Sequence, residues 1–472
     1  MLKADILQPS ASFQPSFSAL FLQMYIHKNV FLLIFNELQK SNVHQIPMVI
    51  TTIILNFAVS KILILIIMKT KFYPILLCAA LCACGGGNAK QPVADVETTK
   101  DTMQVTKGVS KPGGIPYLDF NKKYPSKDIC LEEIANVSYI PLETTDKSLI
   151  QTILKIDMSD NIIIIGDYSN AVIAFDKQGK FLWSFNKRGG GPEEYNAIIT
   201  LCVDFDKKEI YILDFYNRYR IMVYSFDGKF IRRLKLDQMV WPSNLYNYDK
   251  DYLIAYDIYN ETESNANKRP YILINKQNGK VSSIPIKLKK RNSNASRIQK
   301  GEQFYIQKHV IEPIIKTEKG VIISDFALDT IYNYQNHHLT PIAIRKNIDE
   351  SVLSSITAYG SRYSFLNFIE RSKNSKGQYE GTTDSKLFLI DKKEGTVYDA
   401  SIIPSDIKTK NTPIWERYKQ DLPNDNLLIK QLSVELLSRL SEENKLKGTL
   451  KEVASKLKED DNPVLMIVHL KR

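Results

Sequence analysis

Cysteine is scarce: five residues in 472, three of them (Cys78, Cys82, Cys84) crowded into one short segment. So few thiols exclude a disulfide scaffold. The six histidines, at 27, 44, 309, 337, 338 and 469, show no metal-ligand spacing. There is no Asp-x-Asp-x-Asp-Gly calcium loop and no Gly-x-Ser-x-Gly nucleophile elbow. Asp176-Lys-Gln-Gly179 with Trp183 imitates a sialidase Asp box, but at the wrong spacing. No catalytic residue, metal or cofactor is assigned on this basis. Carboxylates brought together by folding are the catalytic route that the sequence leaves open. Disorder is excluded for the body of the chain, because 25 tyrosines and 20 phenylalanines supply ample apolar surface.

Charge is uneven. Residues 1–84 hold six basic groups against two acids, whereas the remaining 388 residues carry 57 against 50. The net charge of +11 is therefore no nucleic-acid footprint; the body has an ordinary mixed surface. Met68-Lys-Thr-Lys71 precedes the apolar run Phe72-Tyr-Pro-Ile-Leu-Leu-Cys-Ala-Ala-Leu-Cys-Ala-Cys84, followed by Gly85-Gly-Gly-Asn88. A positive stretch, a short apolar run and a small-residue exit make an export signal, and the run is too short to span a bilayer. Leu81-Cys-Ala-Cys84 resembles a bacterial lipobox, which implies lipid attachment at Cys84; simple secretion or a retained anchor is the other reading. Residues 1–67 then read as spurious upstream translation before a start at Met68. The alternative is a true membrane segment, since 46–67 are apolar except for Lys61. Residues 85–115 are glycine-rich, then polar, and read as a flexible tether.

From Val137 onward, short β-rich runs alternate with turn residues: Ile162–Ile165, Val172–Phe175, Ile210–Leu213, Ile221–Tyr224, Tyr271–Ile274, Val321–Ser324 and Leu387–Ile390. Three hairpin motifs align, Phe175-Asp-Lys-Gln-Gly179-Lys-Phe181, Phe226-Asp-Gly228-Lys-Phe230 and Ile274-Asn-Lys-Gln-Asn-Gly279-Lys-Val281, with their glycines 49 and 51 residues apart. Upstream of these turns stands a strand ending in aspartate: Asp167, Asp214 and Asp257, with Asp325 in a looser version. A repeat of about 50 residues holding four strands is a β-propeller blade. Between 137 and 470, once an expected helical insertion at 424–460 is removed, there is room for six. Val137–Leu142 and Pro463–Leu470 are both strand-like and are expected to share the closing blade. Within the insertion, Leu428, Leu432, Leu436 and Leu440 suggest one helix, and Thr449 with Glu452 suggests a capping box opening a second. The pair either packs on the last blade or docks a partner.

Arg188-Gly-Gly-Gly-Pro-Glu-Glu-Tyr195, Val203–Asp214 and Phe226–Phe230 together resemble an NHL repeat. The precursor is similar to the six-bladed β-propeller lipoproteins of Bacteroidetes-type bacteria. That resemblance implies an all-β propeller over 116–472, lipid-anchored at the outer membrane on its periplasmic or surface side.

Antiparallel alternation places the loops between second and third strands on the same face as the blade-to-blade connections. The expected ligand face therefore gathers Asp167, Arg188, Glu193, Tyr195, Asp214, Tyr216, Arg218, Trp241, Asp257 and Asp325. Each has a structural alternative. The aspartates can hydrogen-bond their own turns, and Trp241 can pack between blades. The triple glycine either serves close blade packing or imitates a phosphate cradle without the context of a P-loop. The basic run Lys287–Arg297 is a solvated loop or a polyanion site. Cys130 and Cys202 are two separate thiols or one disulfide. The function expected is binding of a peptide, glycan or envelope protein by a membrane-tethered monomer with no nucleic-acid role. The alternative is a hydrolase or lyase acting on carbohydrate or peptide at the channel mouth.

Overall fold

The structure, a computed structural model, describes residues 118–472 except 218–219, 260–267, 292–294, 301–302, 310–311, 376 and 408–418. Cys84, the export signal, the tether, residues 1–67 and Arg218 lie outside the described residues. Among those described, six sheets are arranged as propeller blades. Blade 1 is built from strands a to d, Ile153–Met158, Ile162–Asp167, Val172–Asp176 and Phe181–Phe185. Blade 2 follows with Ile198–Asp204, Glu209–Asp214, Arg220–Ser225 and Phe230–Lys235. Blade 3 is Pro242–Asn247, Tyr252–Asp257, Tyr271–Asn275 and Val281–Ser283. Blade 4 is Ile314–Thr317, Gly320–Ile323, Thr330–Gln335 and His338–Lys346. Blade 5 is Val352–Tyr359, Tyr363–Lys373, Tyr379–Asp391 and Thr396–Ile403.

Blade 6 closes the ring. Leu427–Leu432 pairs with Val464–Leu470, which pairs in turn with Ala135–Pro141 from the other end of the described chain. The register Val464↔Pro141 to Leu470↔Ala135 leaves the closing strand fully paired along one edge. This is the expected sharing of one blade by the two termini.

The core lies between blades rather than within one. Six apolar clusters occupy the six blade interfaces among the described residues; Ile164, Ala174, Leu201, Ile210 and Ile212 fill the one between blades 1 and 2. Sheets covered on both faces explain why Ile163, Ile164 and Ile165 are consecutively apolar and all buried. The hairpin glycines Gly179, Gly228 and Gly279 have φ of 87°, 73° and 74°. Their neighbours leave no room for a Cβ: at Gly279 it would stand 2.5 Å from the Lys235 carbonyl oxygen.

Three features depart from the sequence reading. First, Leu427–Leu432 is a strand, not the start of a helix, so the helical insertion is shorter than 424–460. Its leucines fit a helical stripe, but their main chain is held by the ladder to Val464–Leu470. The helix begins only where the Ser433 hydroxyl accepts from the Leu436 N–H, giving Val434–Glu442. Second, the following helix starts at Gly448 with Lys447 as N-cap and no side-chain cap, so Thr449 and Glu452 form no capping box there. Third, the N-terminal stretch is a belt. Leu118–Asp119 and Ser126–Cys130 run parallel to the outermost strands of blades 4 and 5. Phe120 and Tyr124 then pack their rings on Phe368 and Phe388 at 5.2–6.3 Å. The basic run enters an additional hairpin, Ala295–Lys300 with Gln303–Lys308. Ahead of that hairpin Lys290 pairs with Glu350, and Arg291 is buried against the Asp257 carbonyl and the Tyr256 ring.

Candidate functional site

The four repeated aspartates stand at one end of the blades and are buried to 1% exposure or less. In blade 1, Asp167 accepts from the Ser169 N–H two residues on and from the Thr152 N–H on the connection entering strand a. Asp214 does the same with Tyr216 and Asn196, and Asp257 with Tyr259 and Trp241. Each carboxylate thus ties a b–c loop to the neighbouring connection, which explains its recurrence at the end of strand b. Asp214 is also gripped by Arg220, at 2.6 and 3.1 Å. Asp325 keeps the turn bond to Ala327 and receives the hydroxyls of Tyr256 and Tyr271. These residues set loop geometry.

The Gly189-Gly-Gly191 loop is a small anion nest already filled from within. The Glu194 carboxylate accepts the Gly191 N–H at 2.7 Å, and a Cβ on Gly189 would lie 1.9 Å from it. Tyr195, fully buried, donates to the Asn170 carbonyl and accepts from the Lys187 N–H. Arg188 and Glu193 flank this loop with exposed side chains. Trp241 is half-buried and meets Tyr259 edge-on at 5.3 Å.

Beside these charged groups, the loop face offers apolar and aromatic side chains outward. Tyr168 and Tyr216 follow the staple aspartates of blades 1 and 2, and each is 59% exposed. Leu149 and Met239, on the connections into blades 1 and 3, are 58% and 56% exposed. Leu149 and Met239 were not singled out from the sequence, nor was Tyr168; its adjacency to Asp167 is the signal that could have found it. Beside Tyr168 opens a cavity of about 430 Å³, to which Lys155, Lys419, Gln420 and Lys430 contribute.

The channel itself holds polar groups that no local motif announces. Gln420–Asp421 takes the place of an innermost strand for blade 6, but pairs in parallel with Ile156 and Asp157 of blade 1. The Gln420 amide exchanges both hydrogen bonds with the Ile429 main chain. Asp421 reaches the Asn247 N–H of blade 3 at 3.3 Å. Lys155 crosses to the Leu245 carbonyl, and Asp157 accepts the Val203 N–H at 2.8 Å. Burial raises the Asp157 pKa, with the Asp421 carboxylate adding to the effect and the Lys155 ammonium opposing it. Burial likewise pushes the Cys202 thiol well up. Cys130 and Cys202 are both free thiols; Cys130 donates to Glu132 at 3.0 Å.

At the opposite end, a cavity of about 460 Å³ is lined by Glu318, Tyr359, Lys392, Asp425 and Arg472 among others. Lys392 donates to the Gly360 carbonyl and lies over the Tyr359 ring at 3.5 Å; burial pulls its amine down to about 8. Two of the described histidines are locally engaged: His309 with Ser296 at 2.9 Å, and His337 with Asp249 at 3.1 Å. No helix among the described residues is long and apolar enough to cross a membrane.

A closed ring of six four-stranded or near four-stranded sheets, with its loops gathered at one rim, defines a six-bladed β-propeller. The chain belongs to the family described as "Domain of unknown function (DUF4934)", whose model matches residues 116–469. No curated protein matches. Among solved structures, it is similar to a "Putative exported protein" from Bacteroides fragilis, at 16% identity and a TM-score of 0.56, over 76% of this chain and 99% of that one. It is also similar to virginiamycin B lyase from Staphylococcus aureus, at 12% identity and a TM-score of 0.28, over 54% and 81%. BamB from Moraxella catarrhalis gives 10% and 0.30, over 55% and 75%. The first likeness shows the fold; the other two, at those scores, carry no argument.

Proposed function

We propose that this protein is an NHL-like propeller of the cell envelope, lipid-anchored through Cys84 at the outer membrane, that binds a peptide, glycan or protein partner on its loop-rich face. One observation carries the binding reading: Leu149, Tyr168, Tyr216 and Met239, from neighbouring blades, are all more than half exposed on loops of the same face. Exposing such side chains to water gains nothing for the fold, whereas apolar exposure grouped on rigidly held loops favours association. The staples at Asp167, Asp214, Asp257 and Asp325, with Tyr195 beneath, hold the platform. Arg188, Glu193, Tyr216 and Trp241 are the side chains placed to touch a ligand. The export pattern at 68–84 supports the address, and the similar Bacteroides fragilis protein is itself described as exported.

The ring closes with residues 118–472 alone, so the 116–472 propeller is the material for a binding test. Screened against envelope extracts and a glycan array, it is expected to retain a partner. Tyr168→Ala combined with Tyr216→Ala should then weaken capture at least about tenfold with thermal stability unchanged. Undiminished capture by the double variant would remove this face from the reading. Replacing Cys84 with Ser should abolish palmitate labelling and release the protein from the membrane fraction.

A further inference from the structure

We propose that Asp157, Cys202 and Asp421 form a site for one thiophilic divalent cation, best matched by Zn²⁺, which rivets the channel strand of blade 6 to blades 1 and 2. One ligand atom from each of the three residues lies within 4.8 Å of the other two. The three come from separate elements: strand a of blade 1, strand a of blade 2 and the Gln420–Asp421 strand.

An independent observation points into this cluster. Asp157 is fully buried, and its Oδ1 has no hydrogen-bond partner; its electrostatic neighbour is the Lys155 ammonium, 3.4 Å away. The other oxygen is spent on the Val203 N–H, which fixes the carboxylate's orientation. Asp421 is steered likewise by the Asn247 N–H. Such outer hydrogen bonds are what aim ligands at a metal.

Charge supports the same assignment. Two carboxylates and one ammonium meet here, with Asp157 and Lys155 fully buried and Asp421 half-buried. When the cation binds, the Cys202 S–H bond breaks, the proton leaves to solvent and a metal–sulfur bond forms. Two positive charges then meet one thiolate, two carboxylates and one ammonium, and the sum is zero. A thiolate beside carboxylates selects Zn²⁺ over Mg²⁺ and Ca²⁺, which demand oxygen ligands. Three protein ligands leave one tetrahedral position for water. Bond lengths of about 2.0–2.3 Å require the cluster to draw in slightly, which the two-residue channel strand can follow.

The test uses the full chain, purified in detergent and stripped with a chelator. Titrated with Co²⁺ alone, it is expected to develop a thiolate-to-metal absorption band in the near ultraviolet that saturates at one equivalent. Zn²⁺ should displace that band and raise the melting temperature. Cys202→Ser should lose the band, and Asp421→Asn, which keeps the side chain's shape, should weaken Zn²⁺ binding at least about tenfold. The wild-type titration stands whether or not a variant folds. Absence of a band at one equivalent of Co²⁺, or equal Zn²⁺ stabilisation of wild type and a folded Cys202→Ser protein, would overturn the assignment.

Discussion

Arg345 is fully buried without a carboxylate in bonding contact. Its guanidinium donates to the carbonyls of Asp325, Leu328 and Ser354 and to the Ser354 hydroxyl. Burial pulls its pKa down to about 10, so it remains charged at neutral pH. Because these acceptors sit on the b–c loop of blade 4 and strand a of blade 5, one side chain fastens two blades. Arg345→Met is therefore expected to cost about 3 kcal/mol, mostly from carbonyls left buried and unpaired. Chemical denaturation would measure it, and a loss below about 1 kcal/mol would mean that water replaces the guanidinium. Lys392 makes the opposite kind of statement. Folded, its amine titrates near 8; unfolded, at its ordinary value of 10.5. Between those values the unfolded chain holds the extra proton, so this group's contribution to stability rises with pH from 8 to 10.5; below 8 its cost is complete. The stability of Lys392→Met minus that of wild type should thus be larger at pH 7 than at pH 10. A difference that is flat or grows with pH would contradict burial as the cause.

At the scale of elements, what could be read from sequence was whatever a few adjacent residues decide. The positive φ at Gly179, Gly228 and Gly279 follows from hairpin chemistry, and Asp167, Asp214 and Asp257 recur because each blade needs the same staple. The two closing strands of blade 6 were legible as strands, but Leu427–Leu432 resisted because it is set by a distant partner. Leu428 and Leu432 obey a helical period, yet they pair with Val468 and Val464 across two helices. The channel strand is only two residues long, and its partner Asp157 lies in the first blade. No spacing rule connects Asp157, Cys202 and Asp421, so a motif search for metal ligands passes them by. The triple glycine shows the converse limit: its pattern is that of an anion cradle, and the anion is Glu194 of the same loop. On the candidate face, the aspartates were visible as repeats, while the exposure of Leu149 and Met239 depends on how their connections lie over the rim.

For the whole molecule, the ring's weak point is where its ends meet. Val464–Leu470 is almost wholly apolar and buried, and Ala135–Pro141 covers one of its edges. Stripped of that strand, the edge would be a template for pairing with another chain. The belt is a separate matter: Leu118–Asp119 and Ser126–Cys130 add to blades 4 and 5, whose four strands are already complete. Two truncations therefore should behave differently. A chain beginning at residue 131 loses the belt and the packing of Phe120 and Tyr124 on Phe388, but keeps the closing strand. It is expected to fold as a monomer with a lowered melting temperature. A chain beginning at residue 142 loses closure and should self-associate, with broadened thermal unfolding. Light scattering after size exclusion, with far-ultraviolet circular dichroism, distinguishes the two. If the 142–472 chain proved monomeric and as stable as the 131–472 chain, the inter-blade clusters alone would be holding the ring, and the terminal strand would be a cover rather than a clasp.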